Sequence, residues 1–197
     1  MMLKPFEREN VLSMPVVLIS TVSGDGVANA APWGNVTPIL RPLDEIVIAS
    51  ALKRDTLDNI RETGEFVVNV PPASMIDEVM ICSRQYPAGV DEFAEAGFSK
   101  KPSSSVAPPG IGGCIAWIEC KLKEEIQRDK YSLVIGKVTA LEVDEDFVTE
   151  DGDLDYEKAE PLCMLCGGSE IHYTKPVRAG RTAKYSEMFS WPGKIEE

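Results

Sequence analysis

The chain has 197 residues, 44% hydrophobic and 26% charged, a composition that suits one domain with a sizeable core. No apolar run approaches the ~20 residues of a membrane span, and residues 1–10 lack the apolar stretch of a signal peptide, so a cytoplasmic protein without a membrane partner is expected. The formal net charge of −12 is uneven, because residues 142–160 hold ten acids and one lysine; this solvated acidic loop argues against nucleic acid as a partner, which calls for basic patches.

Residues 16–22 (VVLISTV) form a β-rich run, Ser23-Gly24-Asp25-Gly26 a turn, and residues 27–31 a second strand, together a hairpin signature. Residues 46–50 predict a third strand, too short and too β-branched for a buried helix. Asp55 or Thr56 can cap a short helix that turns Leu57, Ile60 and Thr63 inward and stops at Gly64. Residues 65–70 (EFVVNV) read as the next strand, closed by Pro71-Pro72. Ser74 to Asp77 opens a helix with Met75, Ile76, Val79, Met80 and Cys82 at helical spacing, and residues 91–96 suggest another. Residues 102–109 form a Ser/Pro-rich loop ending at Gly110.

The clearest strand covers residues 114–123, with Cys114, Ala116, Ile118, Cys120 and Leu122 on one face and Trp117, Glu119, Lys121 and Lys123 on the other. Residues 131–143 predict a long strand with a bulge at Gly136. The acidic loop, a strand at residues 162–166 and a tail over residues 174–197, ending near Trp191-Pro192-Gly193, complete the chain. Many closely spaced strands with few short helices predict a mainly β, closed or nearly closed barrel forming a single domain over residues 1–197. No GxGxxG fingerprint is present, and a doubly wound parallel sheet is not expected.

Five cysteines, an odd number, favour reduced thiols. The one CxxC, Cys163 to Cys166, falls on a strand, where positions three apart face opposite ways. Core thiols are therefore expected rather than a zinc site, and no metal is expected. His172 is the single histidine.

Two stretches could carry chemistry. At residues 50–56 a strand ends, Lys53 and Arg54 follow, and a helix begins. Free N–H groups at the helix start, the two cations and the Ser50 and Thr56 hydroxyls could converge on a terminal phosphate. At residues 29–35, small residues would let a planar ligand approach the backbone, Asn29 and Asn35 offer amides, and Trp33 could pack on an aromatic ring. From pattern alone the plainer readings are an exposed basic loop before a capped helix, and a strand running into a proline turn around a core tryptophan.

Three segments in order, VVLISTVSGDGVANAAPWGNVTP, SALKRDTLDNIRETGEFVVNVP and SRQYPAGVDEFAEAGF, with a late PLCMLCGG…Y segment, resemble the flavin reductase-like (flavoredoxin) family. The specific combination is N-A-A-P, then [KR]-D-T-x-x-N-I, then G-E-F-V-V-N-V. The resemblance implies an FMN-binding split β-barrel of Greek-key type, working as a homodimer with the flavin at the subunit interface. It implies that Ser50, Ala51, Lys53, Arg54 and Thr56 hold the phosphate, with the Thr56 hydroxyl bonded to it. It places Asn29, Ala30, Ala31, Pro32, Trp33 and Asn35 along the isoalloxazine. Cys82, Ser83 and Arg84 would complete the pocket, with Tyr86, His172 and Tyr173 nearby. Some flavoredoxins carry lysine after the aspartate of a D-x-F motif; here Asp91-Glu92-Phe93 has Glu92.

The implied activity is hydride transfer from NADH or NADPH to FMN and passage of electrons onward. The alternative is a flavoredoxin-type carrier without direct NAD(P)H turnover, exchanging electrons with a redox protein that the acidic loop could help dock. A pyridoxamine-phosphate-oxidase-like enzyme is a third, related-fold option. The chemistry belongs to the cofactor, so no catalytic residue is nominated.

Overall fold

The computed structural model describes residues 11–40, 42–87, 89–167 and 170–181. In chain order its elements are β1 (Met14–Pro15), β2 (Val17–Val22), β3 (Ala28–Trp33), β4 (Val36–Pro38), β5 (Glu45–Ala51), α1 (Asp55–Thr63), β6 (Glu65–Val70), α2 (Ile76–Cys82), α3 (Glu92–Ala96), β7 (Lys100–Lys101), β8 (Gly110–Ile111), β9 (Ala116–Gln127), β10 (Tyr131–Val143), α4 (Tyr156–Ala159), β11 (Cys163–Gly167) and β12 (Glu170–Thr174). The expected mainly β chain with short helices is what forms. No helix among the described residues is long and apolar enough to cross a membrane.

Seven strands make one antiparallel sheet in the order β3-β2-β6-β9-β10-β5-β4. Its two edges, β3 and β4, are consecutive in the chain and joined only by Gly34 and Asn35. The sheet therefore curls until its edges meet at that corner, giving a half-barrel. Among the described residues no ladder pairs β3 with β4.

Along β2, β6 and the start of β9 both faces of the sheet are buried. Alternation along a strand sends neighbours to opposite sides. Ile19, Phe66, Val68, Ile118 and Cys120 share one side with Leu57 and Ile60 of α1. Leu18, Val67 and Trp117 share the other with Val79, Cys82 and Phe93 from α2 and α3. The alternation read along β9 holds, with Trp117 and Glu119 on the face opposite Ile118 and Cys120, and here that second face is covered too. Both are buried, at 5% and 6% exposure. The loop over residues 102–109 folds back on them: Ser104 and Ser105 donate their backbone N–H to the Glu119 carboxylate at 2.7 and 2.6 Å. Trp117 Nε1 donates to the Ile111 carbonyl at 2.7 Å. Burial alone would raise the Glu119 carboxyl, but these serine donors outweigh it and hold it below the usual carboxylate range.

The expected bulge in β10 is present as a register shift between Ile135 and Gly136. A Cβ at Gly136 would lie 2.4 Å from Phe66 Cζ, so the core ring occupies the space of a side chain there. Of the α2 residues at helical spacing, Val79 and Cys82 are buried and Met80 is 53% exposed. The late strand does not join the large sheet. It forms β11 of a three-stranded sheet ordered β1-β11-β12. The acidic stretch is not a plain loop either: it carries the end of β10, a short 3-10 turn and α4, with Asp144 and Asp155 accepting from backbone N–H groups at the two starts. Of the tail, residues 182–197, with Trp191-Pro192-Gly193, lie outside the described residues.

Candidate functional site

The start of α1 is fixed from several sides. Leu57 and Ile60 bury its inner face. Asn59 Nδ2 donates to Thr21 Oγ1 on β2 at 3.0 Å, and Arg61 pairs with Glu125 on β9 at 2.6 Å. Neither Asp55 nor Thr56 caps the helix, which corrects the sequence reading. Arg54 occupies the cap position in an extended conformation, and no side chain bonds to the helix start. The first N–H groups thus stay open toward whatever lies before the helix, and Lys53 and Arg54 are exposed beside them.

A buried polar network ties this start to the β3 edge. Thr56 Oγ1 donates to Asn29 Oδ1 at 3.1 Å, and Thr21 Oγ1 donates to the same oxygen at 3.3 Å. The other end of the amide, Asn29 Nδ2, donates to Glu92 Oε2. Because β3 is an edge strand, its outward N–H groups need partners elsewhere; that of Ala30 donates to Glu92 Oε2 at 2.8 Å. Glu92 is itself held by a well-anchored turn. Asp91 caps α3 by accepting from the Phe93 and Ala94 N–H groups, and it pairs with Lys100 at 2.9 Å. Burial, with Asp55 and Asp91 nearby, overcomes the Ala30 bond and pushes the Glu92 carboxyl up to about 7.

These elements enclose a half-open cavity of about 580 Å³. Its first wall is the basic segment and helix start, with Lys53, Arg54, Asp55 and Thr56. Its second is the corner where the sheet edges meet, with Pro32, Trp33, Gly34 and Asn35. Its third is the end of α2 with Cys82, Ser83, Arg84 and Tyr86, and its fourth comes from the small sheet through Met164, Ile171 and Tyr173. The second and fourth walls meet closely at Gly34, where the end of the Met164 side chain fills the space a Cβ would take.

Of the residues expected from the sequence, Asn29, Ala31, Pro32, Trp33, Asn35, Ala51, Lys53, Arg54, Thr56, Cys82, Ser83 and Arg84 line this one cavity. Ala30 and Ser50 do not. Ala30 is fully buried in the core on the other side of its strand, and Ser50 turns its hydroxyl to the Ala51 carbonyl at 2.9 Å. The Thr56 hydroxyl is committed to Asn29, so what it leaves toward the cavity is its backbone N–H. Cys82 is no nucleophile: burial, with Glu92 and Glu78 nearby, pushes its thiol up to about 12. His172 stands apart, because Ile171 and Tyr173 face the cavity and alternation turns His172 away, where its side chain is 60% exposed. Cys163 and Cys166 are likewise an odd number of positions apart on β11 and face opposite sides.

Sequence reasoning missed Glu92, noticing only that it is not lysine. Its signal was an acid directly after a helix-capping aspartate and before a core phenylalanine. Met164 and Ile171 were missed as well, and nothing local in the sequence joins them to the corner. Among the buried side-chain donors of the walls, Trp33 Nε1 has no partner in the described residues. A bound group with a hydrogen-bond acceptor would satisfy it.

A family model described as flavin reductase like domain matches residues 9–163. A protein of Methanothermobacter thermautotrophicus, described as uncharacterized, is 43% identical over 194 residues, covering 96% of this chain and 92% of its own. Among solved structures, component B of nitrilotriacetate monooxygenase from Bacillus cereus superposes with a TM-score of 0.83 at 22% identity, covering 92% of this chain and 98% of that one. Flavoredoxin from Methanosarcina acetivorans gives 0.81 at 22% identity, covering 95% and 98%. At these identities the structural likeness speaks for the fold.

Proposed function

The chain belongs to the flavin reductase like domain family, its fold is the split β-barrel, and from that premise we propose that its cavity holds FMN and that it works as an NAD(P)H-dependent, flavin-linked oxidoreductase. The observation that carries the reading is the union, in one cavity of about 580 Å³, of an uncapped helix start flanked by Lys53 and Arg54 with an aromatic corner around Trp33. A phosphate monoester needs the first and a planar ring the second.

Lys53, Arg54 and the open N–H groups of α1 would hold the phosphate, with Arg84 adding charge from α2. Pro32, Trp33 and Tyr173 would line the ring site, and the unpartnered Trp33 Nε1 offers it a donor. When bound, FMN supplies acceptance of hydride from a reduced nicotinamide and release of electrons to an acceptor. The protein's share is to bind, orient and partly exclude water. Cys82 stays a neutral thiol in the wall, and no side chain is assigned a proton-transfer step.

A homodimer follows from the same reading, since a half-open cavity leaves a ring partly bare in one protomer. A cytoplasmic location is in keeping with five unpaired cysteines. The test begins with pigment released from purified protein, where chromatography should return FMN; recovered FAD, or no flavin after reconstitution, overturns the reading. Anaerobic mixing with NADH or NADPH should then bleach the flavin absorbance. Bound FMN that neither nicotinamide reduces would instead make the protein an electron carrier served by a redox partner.

A further inference from the structure

We propose that Glu92 is a ligand-binding residue that takes up one proton from solvent as the anionic flavin phosphate enters, so that its carboxyl joins the complex as an O–H donor. The inference rests on the FMN reading. It starts from an asymmetry in how the carboxyl is held. Oε2 accepts from both Asn29 Nδ2 and the Ala30 N–H. No donor among the described residues reaches Oε1, and Glu92 lines the cavity. The side chain is held in place by its own burial, at 7% exposure, and by the two donors on Oε2, on a turn that Asp91 caps.

The surroundings decide which form is favoured. On its own turn Asp91 is paired with Lys100. Across the cavity wall the start of α1 presents Asp55, with Lys53 and Arg54 before it. The α2 side presents the neutral Cys82 thiol, with Glu78 a turn before it and Arg84 beyond. The packed edge of β3 offers only amides. In the free protein the carboxyl already titrates near neutrality. A phosphate dianion drawn in by the three cations adds negative charge to a wall that holds Asp55 and Glu92, and the carboxylate is the group that can discharge it by protonation. The proton goes to the free oxygen Oε1, no bond is broken elsewhere, and the O–H so formed faces the cavity. A buried carboxylate that would repel the ligand thereby becomes one that hydrogen-bonds it.

The experiment is calorimetric titration of FMN into apoprotein at pH 8, in Tris and in HEPES, whose different protonation enthalpies report protons exchanged on binding. Wild type should take up close to one proton per site, and Glu92→Gln close to none. Between pH 7.5 and 9 the wild-type Kd should weaken, approaching about tenfold per pH unit, while Glu92→Gln stays flat. Equal proton uptake and parallel profiles in the two proteins would overturn the inference while leaving FMN binding intact. If Glu92→Gln fails to fold, a wild-type Kd independent of pH over that range overturns it alone. Absence of FMN binding at every pH would remove the functional reading itself, and this inference with it.

Discussion

The Thr56 hydroxyl donates to Asn29 Oδ1 at 3.1 Å inside a network that also holds Thr21, Asn59 and Glu92. Removing it leaves a buried acceptor with one donor fewer. Thr56→Ala should therefore lower apoprotein stability by about 1 kcal/mol and change FMN affinity only severalfold, because the backbone N–H remains; Thr56→Ser should resemble wild type. Melting curves and FMN titrations check this, and a hundredfold loss of affinity with unchanged melting would return the hydroxyl to the phosphate. Glu92 makes a second prediction. Its folded carboxyl is raised to about 7 from an ordinary 4.5, so the stability it contributes is present below about pH 4.5 and is lost as pH rises through about 7. The melting temperature of Glu92→Gln relative to wild type should accordingly climb between pH 5 and pH 8; a gap constant with pH would show the carboxyl to be unperturbed. The sequence made the cations and the Trp33 corner legible because each lies within one short segment. The link from Asn29 to Glu92 crosses 63 positions, and no local pattern reports such a contact.

At the level of elements, alternation and turn chemistry were enough to place β2, β3, β5, β6 and β10 within a residue or two. Trp117 and Glu119 stand where a one-sided sheet would meet solvent, but the serine-rich loop covers that face and supplies donors to the carboxylate. The cap of α1 was misassigned because Asp55 and Thr56 have the side chains of good caps. The backbone instead begins the helix after Arg54, with both of them already inside it. Gly136 was read correctly as a bulge, and the structure adds why it is glycine. With Phe66 fully buried and its ring at 2.4 Å from an added Cβ, Gly136→Ala should cost about 1–3 kcal/mol of overpacking. Urea unfolding measures it, and a neutral result would mean that the ring can retreat.

For the whole molecule, the prediction is association. A half-open cavity rimmed by Ile171, 54% exposed, suits a second copy closing over the site. Sedimentation of the holoprotein should give twice the 21.6 kDa chain mass, and a monomer with full FMN affinity would refute it. The small sheet has a further consequence, in the order of synthesis. Among the described residues β1 is the first strand to be made, and its partner is β11, roughly 150 positions later. A ribosome delivers Asn29, Trp33, Lys53 and Arg54 early and Met164, Ile171 and Tyr173 late, so for most of translation the cavity has its cations and its aromatic corner but no fourth wall. On the proposed FMN reading, loading of the cofactor is then an event after translation, and a newly made molecule would pass through an empty form before it becomes yellow.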